Sequence, residues 1–141
     1  MRIRHEEADR SAAMLDAEHI TLNYGDMSLY HQNKEARDKL TDVLRSIKPD
    51  IIFTHTPNDY MSDHVAVSHL VFDATFSASL PHYRTAKGEG VADICPIYYM
   101  DNLGGFNFEP TEYVDITDTI ESKMIRLACH ECQMIWMREH D

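Results

Sequence analysis

The chain has no apolar run long enough to span a membrane, no Lys/Arg cluster longer than a pair, no internal repeat and no low-complexity tract. The first absence leaves no membrane segment. The second removes the basic face that neutralises phosphates, so nucleic acid and anionic membranes are poor partners. Lys and Arg number 13 against 24 Asp and Glu, a net charge of −11. Cysteine is scarce and odd in number: Cys95, Cys129 and Cys132 cannot form a disulfide framework, which points to a reducing compartment, the cytoplasm by default. The opening residues Arg2-Ile3-Arg4-His5-Glu6-Glu7 are charged and run straight into a helical pattern, where a secretory leader would be apolar.

At 141 residues, 1–141 is expected to form a single domain, and aromatics spread from Tyr24 to Trp136 supply material for its core. Ala8, Ala12 and Leu15 recur at helical spacing over 4–15, opposite Arg4, Glu7 and Arg10. His19–Asn23 reads as a short strand closed by a Gly25-Asp26 turn. From Asn33 to Ile47, Ala36, Leu40, Val43, Leu44 and Ile47 mark the clearest helix, which Lys48-Pro49-Asp50 ends. Asp50–His55 has the continuous apolar character of a strand covered on both faces. A third helix, capped by Asp63, is expected to bury Val67, Leu70, Val71, Ala74 and Phe76 and to run to about Ser79. Residues 82–93 read as a loop, 94–100 as a strand, 101–110 as a second loop and Tyr113–Ile116 as a short strand. A capping box within Thr117–Glu121 then opens a helix to about Met137. This alternation predicts an α/β, Rossmann-like layered fold with a mostly parallel sheet flanked by helices, whose ligands bind beyond the carboxyl ends of the strands.

The loop after the strand at 50–55 lies at such an end and collects His55, Asn58, Asp59, Asp63 and His64 within ten positions. Imidazole and carboxylate suit zinc, and a catalytic zinc takes three protein ligands and an open position. Taken alone, Asp63-His64 is also explained by a helix cap followed by a first-turn histidine.

Pro49-Asp50-Ile51-Ile52-Phe53-Thr54-His55, followed by Pro57-Asn58-Asp59-Tyr60-Met61-Ser62-Asp63-His64, resembles the second motif of the PIG-L (LmbE-like) zinc-dependent N-acetylglucosaminyl deacetylase family, Pro-Asp-strand then Asp-x-His-x-Asp-His. Arg4-x-x-Glu7, the Cys95–Tyr99 strand, and Val114–Thr117 leading to Lys123, His130 and Gln133 extend the resemblance over nearly the whole chain. It implies a Zn2+ cofactor bound by His64, with Asp63 as its motif neighbour and Asp59 as a catalytic residue lining the pocket beside the metal. It also implies substrate contacts from Arg4 and His130, and hydrolysis of the N-acetyl group of an amino-sugar conjugate.

Two departures bear on that activity. The family's opening Ala-His-Pro-Asp-Asp-Glu motif, which follows its first strand and supplies two zinc ligands and the general base, has no counterpart here. The resemblance thus implies a chain that starts after that strand, keeps one ligand of three, self-associates through uncovered strand edges and does not turn over by itself. Met61 stands where the family usually has a histidine that assists the tetrahedral intermediate, although one branch carries methionine there. A thioether donates no strong hydrogen bond, which leaves His55 or His130 as substitute donors. The alternative expectation is a non-catalytic remnant that binds a sugar or a partner protein. Cys129-x-x-Cys132 with Cys95 and a histidine also spells a Cys3His zinc site, which packing of the last helix explains without a metal. Asp26 needs only turn chemistry, and the helical methionines only a core to fill.

Overall fold

Asn33 sets the start of the best-defined helix: its backbone is extended and its side chain accepts the Ala36 amide. The helix ends at Ile47, where Lys48 turns left-handed (φ 47°) ahead of Pro49. The computed structural model describes residues 2–88 and 90–140. In chain order its elements are α1 (Arg2–Ala13), α2 (Lys34–Ile47), β1 (Ile52–His55), α3 (Ser62–Ser79), β2 (Ile97–Met100), a 3-10 turn (Thr117–Thr119), α4 (Ile120–Ala128) and α5 (Glu131–His140). They gather into two compact units, one from Leu22 to Thr111 and one formed by the described residues up to Thr21 and from Glu112 onward. No helix among them is long and apolar enough to cross a membrane.

The central unit packs α2 on α3, with β1 against α3. Small residues permit the close approach: Ala66, Ala74 and Ala78 of α3 are buried, and Leu44 of α2 joins Ala74, Ala78 and Ala92 in the core, flanked by Leu40 and Ile52. Of the inner face expected for α3, Leu70 and Ala74 are buried and Val67 and Val71 half-buried, whereas Phe76 is exposed. The buried row runs 66, 70, 74, 78 at one helical turn per step, and Phe76 lies half a turn off it. Arg45 of α2 closes the far end of α3. Its buried guanidinium donates to the carbonyls of Ser77, Ala78, Leu80 and Tyr83 at 2.9–3.3 Å.

β1 and β2 pair in parallel, Ile52 opposite Ile97 through His55 opposite Met100, which bears out the α/β fold with a parallel sheet. Both strands are shorter than expected. Pro96 has no amide to offer a ladder, so β2 begins after it, and its carbonyl accepts the Ile52 amide instead. The expectation that β1 is covered on both faces does not hold among the described residues: Thr54 is buried but Phe53 is 58% exposed, its ring 5.6 Å from that of Tyr98. Nor does His19–Asn23 form a strand, since Asn23 turns left-handed (φ 59°) and breaks the extended run. Tyr113–Ile116 is likewise irregular, because the Asp115 carboxylate takes the Thr117 amide (2.9 Å) and folds the chain into a turn.

In the other unit the single C-terminal helix expected from Thr117 to Met137 is two helices, and Thr119 makes no side-chain cap. α4 tightens at its end, where the His130 amide reaches the Leu127 carbonyl. Glu7 of α1 then caps the second start. Only 2% exposed, its carboxylate accepts the Cys132 amide (2.8 Å) and the Cys132 thiol (2.9 Å). Arg10 donates to the Cys129 carbonyl and Ser11 to that of Arg126, so α1 satisfies both sides of the break. The Cys132 thiol, then the Cys132 amide, hold the Glu7 carboxyl below its ordinary value. A depressed carboxyl stabilises the fold above its unfolded pKa and loses that contribution as pH falls towards the native value. Glu7→Gln is therefore expected to flatten the fall in unfolding free energy below about pH 5, read as urea midpoints at successive pH values. Parallel wild-type and variant profiles would remove the capping role.

Candidate metal centre

The loop from β1 to α3 is shaped by its own side chains. Thr56 Oγ1 accepts the Asn58 amide (3.2 Å), and Asp59 Oδ1 accepts the Met61 amide (2.9 Å), a local turn that brings the chain back on itself. α3 begins at Ser62 after an extended Met61, with no side-chain cap. The expected cap by Asp63 is not formed, because Asp63 already lies inside the first helical turn, where its charge suits the helix dipole. Its Oδ2 accepts the Met27 amide (2.7 Å), and its Oδ1 is buried with no hydrogen-bond partner among the described residues.

The result is a cluster of His55, Asp59 and His64, whose ligand atoms all lie within 4.8 Å of one another. The His55 and His64 rings stack with centroids 3.8 Å apart and planes at 7°. Asp59 Oδ2 sits 2.9 Å from His64 Nδ1, its side chain only 1% exposed. Burial works against the Asp59 charge, but the Met61 amide and the His64 ring outweigh it and hold the carboxyl below its usual range. An ionised carboxylate can only accept, so His64 Nδ1 is the donor to Asp59 and Nε2 is the nitrogen left for a ligand role. Burial, then the neighbouring His64, depress the pKa of His55 and favour its neutral, ligating form. Two imidazoles and a carboxylate are donor types that suit zinc. Asp59 bonded to Nδ1 is also the arrangement by which a carboxylate orients a metal-binding histidine.

Of the residues singled out in the sequence, His55, Asp59 and His64 are thus brought together, whereas the Asp63 carboxylate is engaged by the Met27 amide. Arg4 and His130 belong to the other unit. Arg4 donates to Gln133 Oε1 (2.8 Å), and the His130 carbonyl accepts the Gln133 and Met134 amides in the first turn of α5. Cys132 is engaged by Glu7, and all three cysteines are free thiols. The sequence placed His55 in this strand-end collection and named it as a substitute donor, but not as a ligand; its place as the last residue of β1 was the signal for more. Asn102 was missed altogether. Buried just beyond β2, it donates from Nδ2 to the carbonyls of Asn58 (3.3 Å) and Phe106 (2.7 Å), and its Oδ1 accepts the Phe106 amide (2.9 Å). It ties the loop after β2 to the loop that carries Asp59.

Residues 1–75 match the family described as GlcNAc-PI de-N-acetylase (PIG-L). The chain is 29% identical over 136 residues to a diacetylchitobiose deacetylase from Thermococcus kodakarensis, which covers 92% of this chain and 49% of that protein. Among solved structures, the N,N'-diacetylchitobiose deacetylase from Pyrococcus horikoshii, complexed with its inhibitor MPG, matches with TM-score 0.74 at 27% identity over 94% of this chain and 50% of its own. GalB, the 4-carboxy-2-hydroxymuconate hydratase from Pseudomonas putida, matches with TM-score 0.79 at 26% identity over 91% and 53%. A conserved protein from Thermus thermophilus shares the fold, with TM-score 0.83 at 23% identity over 95% and 59%. The chain spans about half the length of the curated relative it matches.

Proposed function

The chain belongs to the GlcNAc-PI de-N-acetylase (PIG-L) family, and from that premise we propose that it carries part of a zinc site serving hydrolysis of the N-acetyl group of an amino-sugar conjugate. The observation that carries this reading is the gathering of ligand atoms from His55, Asp59 and His64 within 4.8 Å of one another at the carboxyl end of a parallel strand. His64 and His55 would hold the metal with their imidazoles, and Asp59 would orient the His64 ring through its 2.9 Å contact with Nδ1. Asp63 holds the Met27 turn against the start of α3. Arg4 and His130 are assigned to the substrate. When bound, zinc supplies polarisation of the amide carbonyl and a lowered pKa for water. Met61 donates no hydrogen bond to a developing oxyanion, so that task falls outside its position.

No Ala-His-Pro-Asp-Asp-Glu motif occurs in these 141 residues. The reading therefore gives the isolated chain zinc binding without turnover, and reserves turnover for a protein that also supplies the base. That same absence favours the second reading, a non-catalytic binder of a sugar or partner protein. The hydratase among the structural neighbours is a reminder that a scaffold does not select its reaction. The free thiols support a cytoplasmic setting. Exposed apolar side chains such as Phe53, Phe72 and Phe76 support self-association.

Zinc uptake by the chain, followed by competition with a chromophoric chelator, is expected to reach about one equivalent. Acetate release from N,N'-diacetylchitobiose is expected only when the family's opening motif is present, and to cease with chelator. A chain that takes up no zinc would sink the metal reading; a zinc-loaded protein bearing the motif that frees no acetate would leave the binder.

A further inference from the structure

Four large apolar side chains stand exposed on two loops that touch each other: Tyr60 and Met61 on the loop that carries Asp59, and Leu103 and Phe106 on the loop after β2. Scattered exposed apolar residues are ordinary and need no explanation. These are not scattered. Asn102, 8% exposed, spends three hydrogen bonds tying the Leu103–Phe106 segment to itself and to the Asn58 carbonyl, one residue before Asp59. Gly104 lies against Tyr60, since a Cβ placed there would meet the ring at 3.6 Å. Gly105 (φ 61°) and Asn107 (φ 51°) hold left-handed conformations that shape the turn. Leu103 is 94% exposed on a loop anchored by a buried amide, so its exposure comes from display and not from a loose segment.

From this arrangement we infer that Tyr60, Met61, Leu103 and Phe106 form a subsite for an apolar aglycone, an alkyl or aryl group carried by the amino sugar whose N-acyl group meets the His55–Asp59–His64 cluster. The inference rests on the amino-sugar reading above and adds the class of conjugate. The polar cluster takes the amide, and the next surface along the loop offers no charged side chain at these four positions, only carbon, a phenol and a thioether. Among the four only the Tyr60 hydroxyl can make a strong hydrogen bond, so a hydrocarbon substituent leaves fewer polar groups unpaired here than the hydroxyls of a second sugar would.

The test titrates the zinc-loaded chain calorimetrically with methyl and butyl β-glucosaminides, amine products that undergo no hydrolysis. Half-burial of the three added methylenes corresponds to about tenfold tighter binding of the butyl glycoside. Leu103→Ser and Phe106→Ser, at exposed positions, are expected to bring the two affinities together while zinc uptake stays unchanged. Equal binding of both glycosides by the unaltered chain, or a preference that survives both substitutions, overturns the aglycone subsite alone. Binding of neither glycoside by a chain that holds zinc overturns the amino-sugar reading together with it.

Discussion

His64→Ala is expected to weaken zinc binding by more than the roughly 10- to 100-fold that loss of an orienting partner costs. The substitution removes the one imidazole that a carboxylate orients: Asp59 Oδ2 lies 2.9 Å from its Nδ1, which leaves Nε2 as the nitrogen available to a metal. Asp59→Ala makes the comparison informative. It leaves both imidazoles in place but frees the His64 ring to rotate and to protonate on either nitrogen, and it removes the turn held by the Met61 amide. Its effect is expected within the roughly 10- to 100-fold range of an orienting residue, below that of His64→Ala. Chelator competition reads both. Equal losses in the two variants would make Asp59 a ligand in its own right, and wild-type affinity in His64→Ala would remove the centre from this loop.

The second large effect is on stability. Arg45→Met is expected to destabilise the central unit by about 3 kcal/mol, since hydrogen bonds from a charged donor contribute about 1.5–3 kcal/mol each before desolvation is set against them. The guanidinium is 6% exposed and serves the carbonyls of Ser77, Ala78, Leu80 and Tyr83. These include carbonyls at the C-terminal end of α3, where a positive charge also meets the helix dipole. Methionine keeps much of the volume and no donor, so the loss reports the polar contacts. Urea unfolding followed by circular dichroism measures it; a change below about 1 kcal/mol would show that water satisfies those carbonyls equally well.

Much of the architecture was legible because the interactions that dictate it are local. Asn33 caps α2, the three- and four-residue spacing of Ala36, Leu40 and Leu44 gives that helix its inner face, and Lys48-Pro49 stops it. The same locality placed Asp59 to His64 in a loop beyond a strand, where parallel sheets hold their ligands. Errors arose where a local signal had a distant competitor. The pattern from Thr117 to Met137 is helical throughout, yet Glu7, 125 positions from Cys132, opens a second helix start within it. Asp63 has the composition of a cap, yet its carboxylate is taken by Met27, 36 positions away.

By itself, then, the sequence determined the first three helices, the approximate place of the strands at Ile52–His55 and Ile97–Met100, and the loop and helix start that carry Asp59 and His64, because periodicity and turn chemistry act over a few residues. Only the tertiary structure decided that His55 stacks on His64, that Asp59 engages the Nδ1 of that ring, and that Asn102 reaches 44 positions back to tie the loop after β2 to the loop that carries Asp59. Those contacts depend on the path of the whole chain through space, which no short window of sequence encodes.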